Sequence, residues 1–269
     1  MRYTGIQPHY FPRLHYFARI VATDTFVIRD DVQFVRKHKY PDGKTGKSYQ
    51  AHTPIKHALG IHLLMIPIQH NGKKPINKTE IQYSFEWIED HLKTIENFYR
   101  RAPNFSKIFP EIQVILKEKY KTVAELNITT ILWGLLKLAG LKKVSVDMLS
   151  IDFVLQKIKK QNIFRLQSIK KASESKSLAK FKNANPNEKI IALIKEAGAD
   201  EDYCGGTGMA AYMDRSLFEQ HGIKITVQDW KCKEYPQLYK KQQGFIPNLS
   251  IIDLLMNVST KQAIAIIKG

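Results

Sequence analysis

The sequence Gly5-Ile6-Gln7-Pro8-His9-Tyr10-Phe11-Pro12 decides the fold prediction, because it separates a short apolar segment from a helical pattern. Each of its two prolines fixes its own φ and pushes the preceding residue away from helical geometry. The segment is therefore predicted to be a stiff, extended loop. Residues 1–6 before it suit a strand, and apolar side chains recur at helical spacing over residues 14–21 after it.

A second apolar segment, Phe26-Val27-Ile28, is predicted to be a strand, and Asp30 and Asp31 come after it, separated from it only by Arg29. The order is thus strand, rigid loop, helix, strand. In a mostly parallel α/β protein this order places both the loop and the two aspartates at the carboxyl ends of strands. Ligands bind at that edge of such a sheet, so we expect a binding site there.

The rest of the chain predicts a single α/β domain over residues 1–269, Rossmann-like, with a mostly parallel sheet. A polar stretch at residues 36–47 has the turn chemistry of a flexible loop. A small β excursion is predicted over about residues 49–81 and a helical insertion over about residues 84–160. Strands and helices alternate again in the last third, which favours parallel strands joined by right-handed connections.

The composition is that of an ordinary globular protein, with 43% hydrophobic and 25% charged residues. No apolar run approaches the about 18 residues that a membrane span needs, and the first residues do not follow the pattern of a secretory signal. Cys204 and Cys232 are too few for a disulfide framework. We therefore expect a soluble cytoplasmic protein in a reducing compartment.

The charge is unusual, because 42 Lys and Arg against 25 Asp and Glu give a formal net charge of +17. Such a charge predicts attraction to polyanions or to phosphate-bearing substrates. The lysines are scattered, which is typical of solvated helix faces, and the chain carries no recognisable RNA-binding motif. Nucleic acid is therefore a possible partner, but a phosphate-bearing small molecule is favoured.

A glycine-rich turn, Cys204-Gly205-Gly206-Thr207-Gly208, follows one of the late strands and opens a helix that contains Tyr212. Glycines let backbone N–H groups approach an anion, and a helix N-terminus carries about half a positive charge. The pattern is neither a Walker A loop nor the dinucleotide fingerprint. It is equally compatible with an anion site and with a plain tight turn in which Thr207 caps the helix.

The polar residues at the predicted sheet edge can carry acid–base chemistry. Asp30 and Asp31 can orient or deprotonate a substrate group, bind a divalent metal, or simply cap the backbone at the end of a strand. Seven histidines fall in the first 70 residues, but none has the spacing or the cysteine partners of a zinc site. We predict no metal, and His9 on the rigid loop is the best catalytic imidazole.

The candidate site combines this edge with polar side chains that no local structure requires. The candidate catalytic residues are His9, Asp30 and Asp31. The candidate substrate-binding residues are Gln7, Tyr10, Tyr16, Gln33, Arg36, Lys37, Gly205, Gly206, Thr207, Gly208, Tyr212, Gln228 and Tyr235. Arg36 and Lys37 are expected to neutralise phosphate, and the glycine-rich turn to supply backbone donors.

Six segments, in the same order along the chain, resemble the WbqC-like protein family. They are Gln7 to Pro12 with Tyr16-Phe17, Asp30 to Phe34, Thr53-Pro54 leading to Ile66-Pro67-Ile68, Ala102 to Phe105, Gly198 to Asp200 before Tyr203 and Gly205-Gly206, and Phe245 to Pro247 with Leu249 to Leu255. The lysine-rich loop at residues 37–47 departs from the Asn- and Arg-rich segment of the relatives.

The resemblance implies a role in surface polysaccharide or glycoconjugate biosynthesis, as a transferase acting on a sugar or its activated precursor. It implies no specific cofactor and carries no established catalytic residue to this chain. The alternative, a nucleic-acid-binding or RNA-modifying protein, follows from the charge alone. It predicts an affinity for nucleic acid that falls steeply with salt.

Overall fold

The computed structural model describes residues 1–39, 45–69, 72–181, 184–206, 209–210 and 213–269. The strands are β1 (Arg2–Ile6), β2 (Thr25–Ile28), β3 (Lys37–Lys39), β4 (Thr45–Lys47), β5 (His52–His57), β6 (Gly60–Met65), β7 (Ser168–Lys171), β8 (Glu201–Cys204) and β9 (Lys224–Val227). The helices are α1 (Leu14–Val21), α2 (Trp87–Tyr99), α3 (Phe105–Lys117), α4 (Val123–Leu138), α5 (Ile151–Gln161), α6 (Lys176–Lys180), α7 (Pro186–Glu196), α8 (Arg215–Gln220), α9 (Lys240–Gln243), α10 (Ile251–Asn257) and α11 (Thr260–Lys268).

Five parallel strands form the central sheet in the order β7-β2-β1-β8-β9. In sequence order this is 3-2-1-4-5, the arrangement of the first five strands of a doubly wound nucleotide-binding fold. The predicted α/β class with a Rossmann-like, mostly parallel sheet is confirmed. The chain builds outward from β1 to β7 and then crosses to β8, so the topological switch point lies between β1 and β8.

Burial explains why these segments form the sheet and its first helix. All four residues of β2 are buried, as expected for a strand covered on both faces. The helix α1 buries Leu14, Phe17 and Ile20 on one side. A Cβ atom on Gly134 of α4 would lie 2.5 Å from Cζ of Phe17, so glycine at this position lets α4 pack closely against α1.

The chain leaves the sheet between β2 and β7. The pair β3 and β4 and the hairpin of β5 and β6 are both antiparallel, and the helices α2 to α5 follow them. The flexible loop expected at residues 36–47 is therefore paired at both ends, while residues 40–44 lie outside the described part. Two hydrophobic clusters cover the faces of the sheet, the larger involving α1 and α4 and the smaller involving α7 and α8.

One strand begins later than the sequence pattern predicts. Residues 164–169 mix apolar and polar side chains in a pattern that suits a strand, but β7 begins at Ser168. The backbone N–H of Arg165 donates to the carbonyl of Val21, and those of Gln167 and Ser168 donate to the carbonyl of Asp24. The first residues of the run are therefore held in a turn at the opposite edge of the sheet. No helix in the described ranges is long and apolar enough to cross a membrane.

Candidate functional site

The rigid loop after β1 is held in an unusual conformation by three distant hydroxyl groups. Phe11 is fully buried and has a φ of 35°, in the left-handed region that non-glycine residues rarely adopt. Its N–H donates to Oγ1 of Thr130 (3.0 Å), and its carbonyl accepts from Oγ1 of Thr53 (2.7 Å) and Oγ of Ser250 (3.0 Å). Helix α4, strand β5 and the start of α10 therefore fix the loop together.

Two buried amides connect this loop to the neighbouring segments. Nδ2 of Asn127 donates to the carbonyls of Pro8 (2.9 Å) and Gln50 (2.7 Å). Nε2 of Gln50 donates to Oε1 of Gln7 (2.7 Å), and Oε1 of Gln50 accepts from the N–H of Val35 (3.1 Å). Sequence reasoning missed Asn127 and Gln50, although each is a lone amide within an apolar pattern.

Aromatic rings surround the predicted catalytic imidazole. The half-buried ring of His9 lies 4.8 Å from that of Tyr16 and 5.5 Å from that of Tyr49, between centroids. The guanidinium of Arg13 lies over Tyr49 at 5.0 Å. The hydroxyl of the buried Tyr16 donates to the carbonyl of Gln7 (3.0 Å). The structure thus brings Gln7, His9 and Tyr16 together.

Tyr10 points away from this group and into the core. Its side chain is fully buried, and its hydroxyl is 3.1 Å from Nδ1 of His91 on α2. Burial raises the pKa of Tyr10 well above its usual value and lowers the pKa of His91 to about 4. The side chain of Tyr10 therefore anchors the loop to α2. It is not accessible for the substrate contact that the sequence predicted.

Both predicted aspartates after β2 already have partners. Oδ1 of Asp30 accepts from the N–H of Ser173 (2.9 Å), and Oδ2 accepts from its hydroxyl (2.6 Å), so Asp30 ties the end of β2 to the turn after β7. Asp31 forms a two-bond ion pair with Arg29, with Nε at 2.8 Å and Nη2 at 3.1 Å. These contacts give both aspartates a positioning role, and a catalytic role for them stays a prediction.

Gln33, Arg36 and Lys37 lie in a different place from His9. All three are exposed, and they line a cavity of about 220 Å³ together with Lys74. Their connection to the first loop is indirect, through Gln50 and the backbone of the same segment. His9 does not line this cavity, so the cavity does not bring the predicted phosphate-neutralising pair together with the predicted catalytic imidazole.

A guanidinium lies at the switch point between β1 and β8. Nε of Arg19, on α1, donates to Oε1 of Gln228 (2.9 Å), which directly follows β9. Gln228 is itself held at two points, because its Nε2 donates to the carbonyl of His15 (3.0 Å) and its backbone N–H donates to the carbonyl of Cys204 (2.9 Å). The predicted site residue Gln228 thus positions Arg19.

The glycine after β8 makes room for this guanidinium. A Cβ atom on Gly205 would lie 2.6 Å from Nη2 of Arg19 and 3.1 Å from its Cζ. Nη1 and Nη2 of Arg19 have no hydrogen-bond partner among the residues that the structure describes. Burial lowers the pKa of Arg19 below its usual value. The arginine therefore offers two unused donor groups at the carboxyl edge of the sheet.

A buried carboxylate lies near Arg19. Asp202 on β8 is only 4% exposed, and its side chain accepts no hydrogen bond from any described residue. Burial raises the pKa of Asp202 to about 7, and Arg19 and then Arg29 oppose this increase. Sequence reasoning missed Asp202 and Arg19, although an acidic residue inside a short central strand is a signal that could have identified the first.

Tyr235 lies in a separate buried network. Its hydroxyl donates to Oδ1 of Asp253 (2.8 Å), and the hydroxyl of Tyr99 donates to Oδ2 of the same carboxylate (2.7 Å). The fully buried Lys56 donates from Nζ to Oε1 of Gln237 (2.9 Å) beside them. Tyr235 is 3% exposed, so the structure places this predicted substrate contact in the core.

Three predicted residues of the glycine-rich turn, Thr207, Gly208 and Tyr212, lie outside the described residues. Gly206 is exposed directly after Gly205. In the described ranges, no group of three or more His, Cys, Asp or Glu side chains could hold a metal ion.

Comparison with known proteins identifies the family. The WbqC-like protein family matches residues 7–265. The chain belongs to the WbqC-like protein family. It is 25% identical over 259 residues to the uncharacterized protein Rv1507c of Mycobacterium tuberculosis, a match that covers 95% of this chain and 93% of the relative. No solved structure matches it.

The family match starts at the first residue of the rigid loop of this WbqC-like protein and extends through α10 into α11. It includes Arg19, Asp202, Gly205 and Gln228. A larger cavity of about 670 Å³ lies elsewhere, beside β7 and between α5 and α7. None of the residues predicted from the sequence lines that cavity, so we place the candidate site at the switch point instead.

Proposed function

We propose that this WbqC-like protein is a group transferase that binds a phosphate-bearing or nucleotide-activated substrate at the switch point between β1 and β8. The observation that carries the proposal is the half-buried Arg19, which packs against Gly205 with Nη1 and Nη2 unbonded to the described residues. The resemblance to the family implies the biosynthetic context that we propose, which is surface polysaccharide or glycoconjugate assembly.

The chemistry of the guanidinium favours phosphate as its ligand. A guanidinium presents donors in a planar fork that matches two oxygens of a phosphate. In a crevice shielded from water the interaction is stronger than at the surface. The place is also the one at which doubly wound sheets bind their ligands. Arg19 would therefore hold the phosphate of the donor substrate and stabilise the leaving group in the transfer.

The first loop would form the adjacent wall. Tyr16 belongs to the same helix as Arg19 and contacts His9. In this arrangement His9 would move a proton or interact with the charge of the substrate, and Gln7 would orient a polar group. Gly205 and Gly206 would leave space for the phosphate to approach the backbone. Asp30 and Asp31 would keep the ends of β2 and β7 in place.

We also propose a cytoplasmic location, which a nucleotide-activated substrate would require. Cys204 and Cys232 are both free thiols, and free cysteines are typical of a reducing compartment.

Calorimetric titration with pyrophosphate and a panel of nucleotide sugars tests the phosphate site. Arg19→Gln removes the unbonded donors, so we expect its affinity for pyrophosphate to fall about tenfold or more. Arg101→Gln is the matched control, because Arg101 is exposed and follows α2, outside the central sheet. Equal affinities in the wild type and Arg19→Gln would contradict the phosphate site.

The charge of +17 supports one competing function, the binding of nucleic acid. That function predicts an affinity for a single-stranded RNA oligonucleotide that falls steeply with salt and is the same in Arg19→Gln and Arg101→Gln. Salt-sensitive RNA binding without Arg19-dependent pyrophosphate binding would favour it over the transferase.

A further inference from the structure

The side-chain amide of Gln7 is held in one orientation by a relay of hydrogen bonds that begins at a backbone N–H. The N–H of Val35 donates to Oε1 of Gln50 (3.1 Å), and Nε2 of Gln50 donates to Oε1 of Gln7 (2.7 Å). We propose that Gln50 is a positioning residue, and that Gln7 binds an oxyanion oxygen of the substrate through its Nε2. The inference deepens the proposed function and rests on it, because it names the substrate group that lies beside the end of β1.

The direction of this relay follows from its first donor. A backbone N–H can only donate, so the atom of Gln50 that faces Val35 is the carbonyl oxygen of the amide. The atom of Gln50 that faces Gln7 is then the nitrogen, and the atom of Gln7 that it meets is an oxygen. Exchanging the two atoms of either amide would place two donors or two acceptors against each other. The contacts therefore fix both orientations.

Gln50 is held more firmly than a glutamine on the surface would be. It is fully buried, and its backbone carbonyl accepts from Nδ2 of Asn127 (2.7 Å), which also donates to the carbonyl of Pro8 (2.9 Å). Buried polar groups keep their hydrogen bonds, because leaving one unpaired is unfavourable. Gln7 therefore cannot turn its amide without losing the bond to Gln50.

The relay leaves the amide nitrogen of Gln7 without a partner. Gln7 is half-buried, and its Nε2 has no hydrogen-bond partner among the residues that the structure describes. Its backbone carbonyl already accepts from the hydroxyl of Tyr16 (3.0 Å). The side chain thus offers two N–H groups, whereas its oxygen is engaged by Gln50. It favours a ligand that accepts hydrogen bonds.

Gln7 lies at the same edge of the sheet as the proposed phosphate site. It directly follows β1, and Gly205 directly follows β8, the neighbouring strand. Tyr16, which binds the carbonyl of Gln7, lies on α1 one turn before Arg19. Arg19 packs in turn against Gly205. These contacts connect the amide of Gln7 with the guanidinium, and both groups have unused donors.

The charge beside the first loop favours an anion over a neutral acceptor. The guanidinium of Arg13 lies over the ring of Tyr49 (5.0 Å), and that ring is 5.5 Å from the ring of His9. A hydrogen bond to an ionised oxygen is also stronger than one to a neutral oxygen. A phosphate or carboxylate oxygen is therefore the expected partner of Gln7, and an ammonium group is disfavoured.

Exchange of the side-chain amide protons with water, measured by NMR, tests the relay without any ligand. The resonances that disappear in Gln7→Met and in Gln50→Met identify the two amides. In the wild type we expect the protons of Gln50 to exchange at least about tenfold more slowly than those of Gln7, because buried, bonded protons are protected. Gln50→Glu can accept from Val35 but cannot donate, so the amide of Gln7 should turn and become protected. Protected protons of Gln7 in the wild type would overturn the relay.

Titration calorimetry tests the ligand. The probes are pyrophosphate, malonate, and the uridine diphosphate derivatives of glucose and glucuronic acid, which differ by a carboxylate. We expect Gln7→Met and Gln50→Glu each to weaken the responding probes about tenfold, because each removes the unbonded N–H groups. Gln156→Met changes an exposed glutamine on α5 and should bind as the wild type does. A loss for every phosphate probe would assign Gln7 to a phosphate, and a loss confined to malonate and the glucuronic acid derivative would assign it to a carboxylate.

A double-mutant cycle separates the turned amide from a direct effect of the new charge. If Gln50→Glu acts through Gln7, it should change the affinity of Gln7→Met by less than about twofold, whereas simple repulsion would weaken binding about tenfold again. Circular dichroism and urea unfolding establish that each variant is folded. Gln50→Met replaces Gln50→Glu if the carboxylate does not fold. It frees the amide of Gln7 to adopt either orientation, so its affinity should lie between those of the wild type and Gln7→Met.

The outcomes separate the two proposals. Arg19-dependent binding that is equal in the wild type, Gln7→Met and Gln50→Glu would overturn this inference and leave the phosphate site standing. Binding that depends on Gln7 but not on Arg19 would overturn the phosphate site of Arg19 and support the donor at Gln7. No binding of any probe would overturn both.

Discussion

Two buried carboxylates in this protein have opposite surroundings. Asp253 is fully buried and accepts hydrogen bonds from the hydroxyls of Tyr99 and Tyr235, with the ammonium of Lys56 nearby. Asp202 is buried almost as deeply and accepts no hydrogen bond from the described residues. Burial raises the pKa of both.

The contrast separates a carboxylate that stabilises the fold through its hydrogen bonds from one that has no hydrogen-bond donor among the described residues. Asp253 connects α10 to α2 and to the segment after β9, and all its contacts are internal. Asp202 lies inside β8, next to Tyr3 of β1 and Ile225 of β9 in the strand register, and accepts no hydrogen bond from the described residues. Burial by itself does not distinguish these roles, whereas the presence or absence of hydrogen-bond partners does.

We expect the largest change in the free energy of unfolding from the replacement of Asp253. Asp253→Ala removes the acceptor of two buried hydroxyls and the negative charge near the buried Lys56. We expect the free energy of unfolding to fall by about 3–5 kcal/mol, as when one member of a buried network is removed. Urea unfolding measures it, with the exposed Asp147→Asn as a control that should change by less than about 0.5 kcal/mol. A small loss would show that Asp253 is not structural.

Asp202→Asn should raise the free energy of unfolding at high pH, whereas Asp253→Ala should lower it. The folded pKa of about 7 lies above the reference value of 3.8, so the folded protein holds a proton that the unfolded chain has lost. Stability attributable to this proton is complete below about pH 4 and is lost as the pH rises to about 7. We therefore expect the variant to be more stable than the wild type at about pH 8, by about 1–4 kcal/mol.

The same two proteins compared at about pH 4 provide the control for this prediction, because Asp202 is protonated there in both the folded and much of the unfolded protein. The difference in unfolding free energy should shrink to near zero. A destabilised variant at high pH would mean that Asp202 has a structural partner, and the contrast with Asp253 would disappear.

We expect a smaller loss of stability for Tyr235→Phe, which removes one of the two side-chain hydrogen bonds that Asp253 accepts. The acceptor keeps Tyr99, so we expect about 1–2 kcal/mol less stability. Pyrophosphate binding should be unchanged, since Tyr235 lies in the core and away from the switch point. Weakened binding with unchanged stability would return Tyr235 to the substrate site.

The smallest effect on stability is expected for Gly205→Ala. The new Cβ would lie 2.6 Å from Nη2 of Arg19, but the end of a flexible side chain can move, so we expect a loss below about 1 kcal/mol. The displaced guanidinium should bind pyrophosphate about tenfold more weakly. Gly206→Ala is the matched control, because its Cβ would meet only Val227 at 3.7 Å. Equal binding by the two variants would contradict the role of Gly205.

The sequence alone predicts the parallel sheet, and it predicts a candidate site at the carboxyl edge, but it does not identify the residues that remain unpaired there. The prolines of the first loop and the apolar run of β2 act locally, so their structure follows from neighbouring residues. Arg19 reads as an ordinary basic residue near the end of an amphipathic helix. Its role depends on Gly205 and Gln228, which are close to it only in the folded protein.

Local sequence patterns also failed to predict which polar side chains are buried. Tyr10 lies between two prolines and Tyr235 directly precedes Pro236, where polar side chains are usually accessible, yet both are in the core. Asp30 and Asp31 come just after β2 as expected, but Ser173 and Arg29 already bind them. Whether a polar residue has a partner depends on segments far away in the chain.

The left-handed geometry of Phe11 has a consequence for the order in which the protein folds. Its three hydroxyl partners are 42, 119 and 239 residues away in sequence. Contacts that close such long loops carry a large entropic cost and form late. The most distant partner, Ser250, directly precedes α10. During synthesis on the ribosome the first strands can therefore begin to assemble early, while the loop after β1 stays incomplete until the start of α10 has emerged.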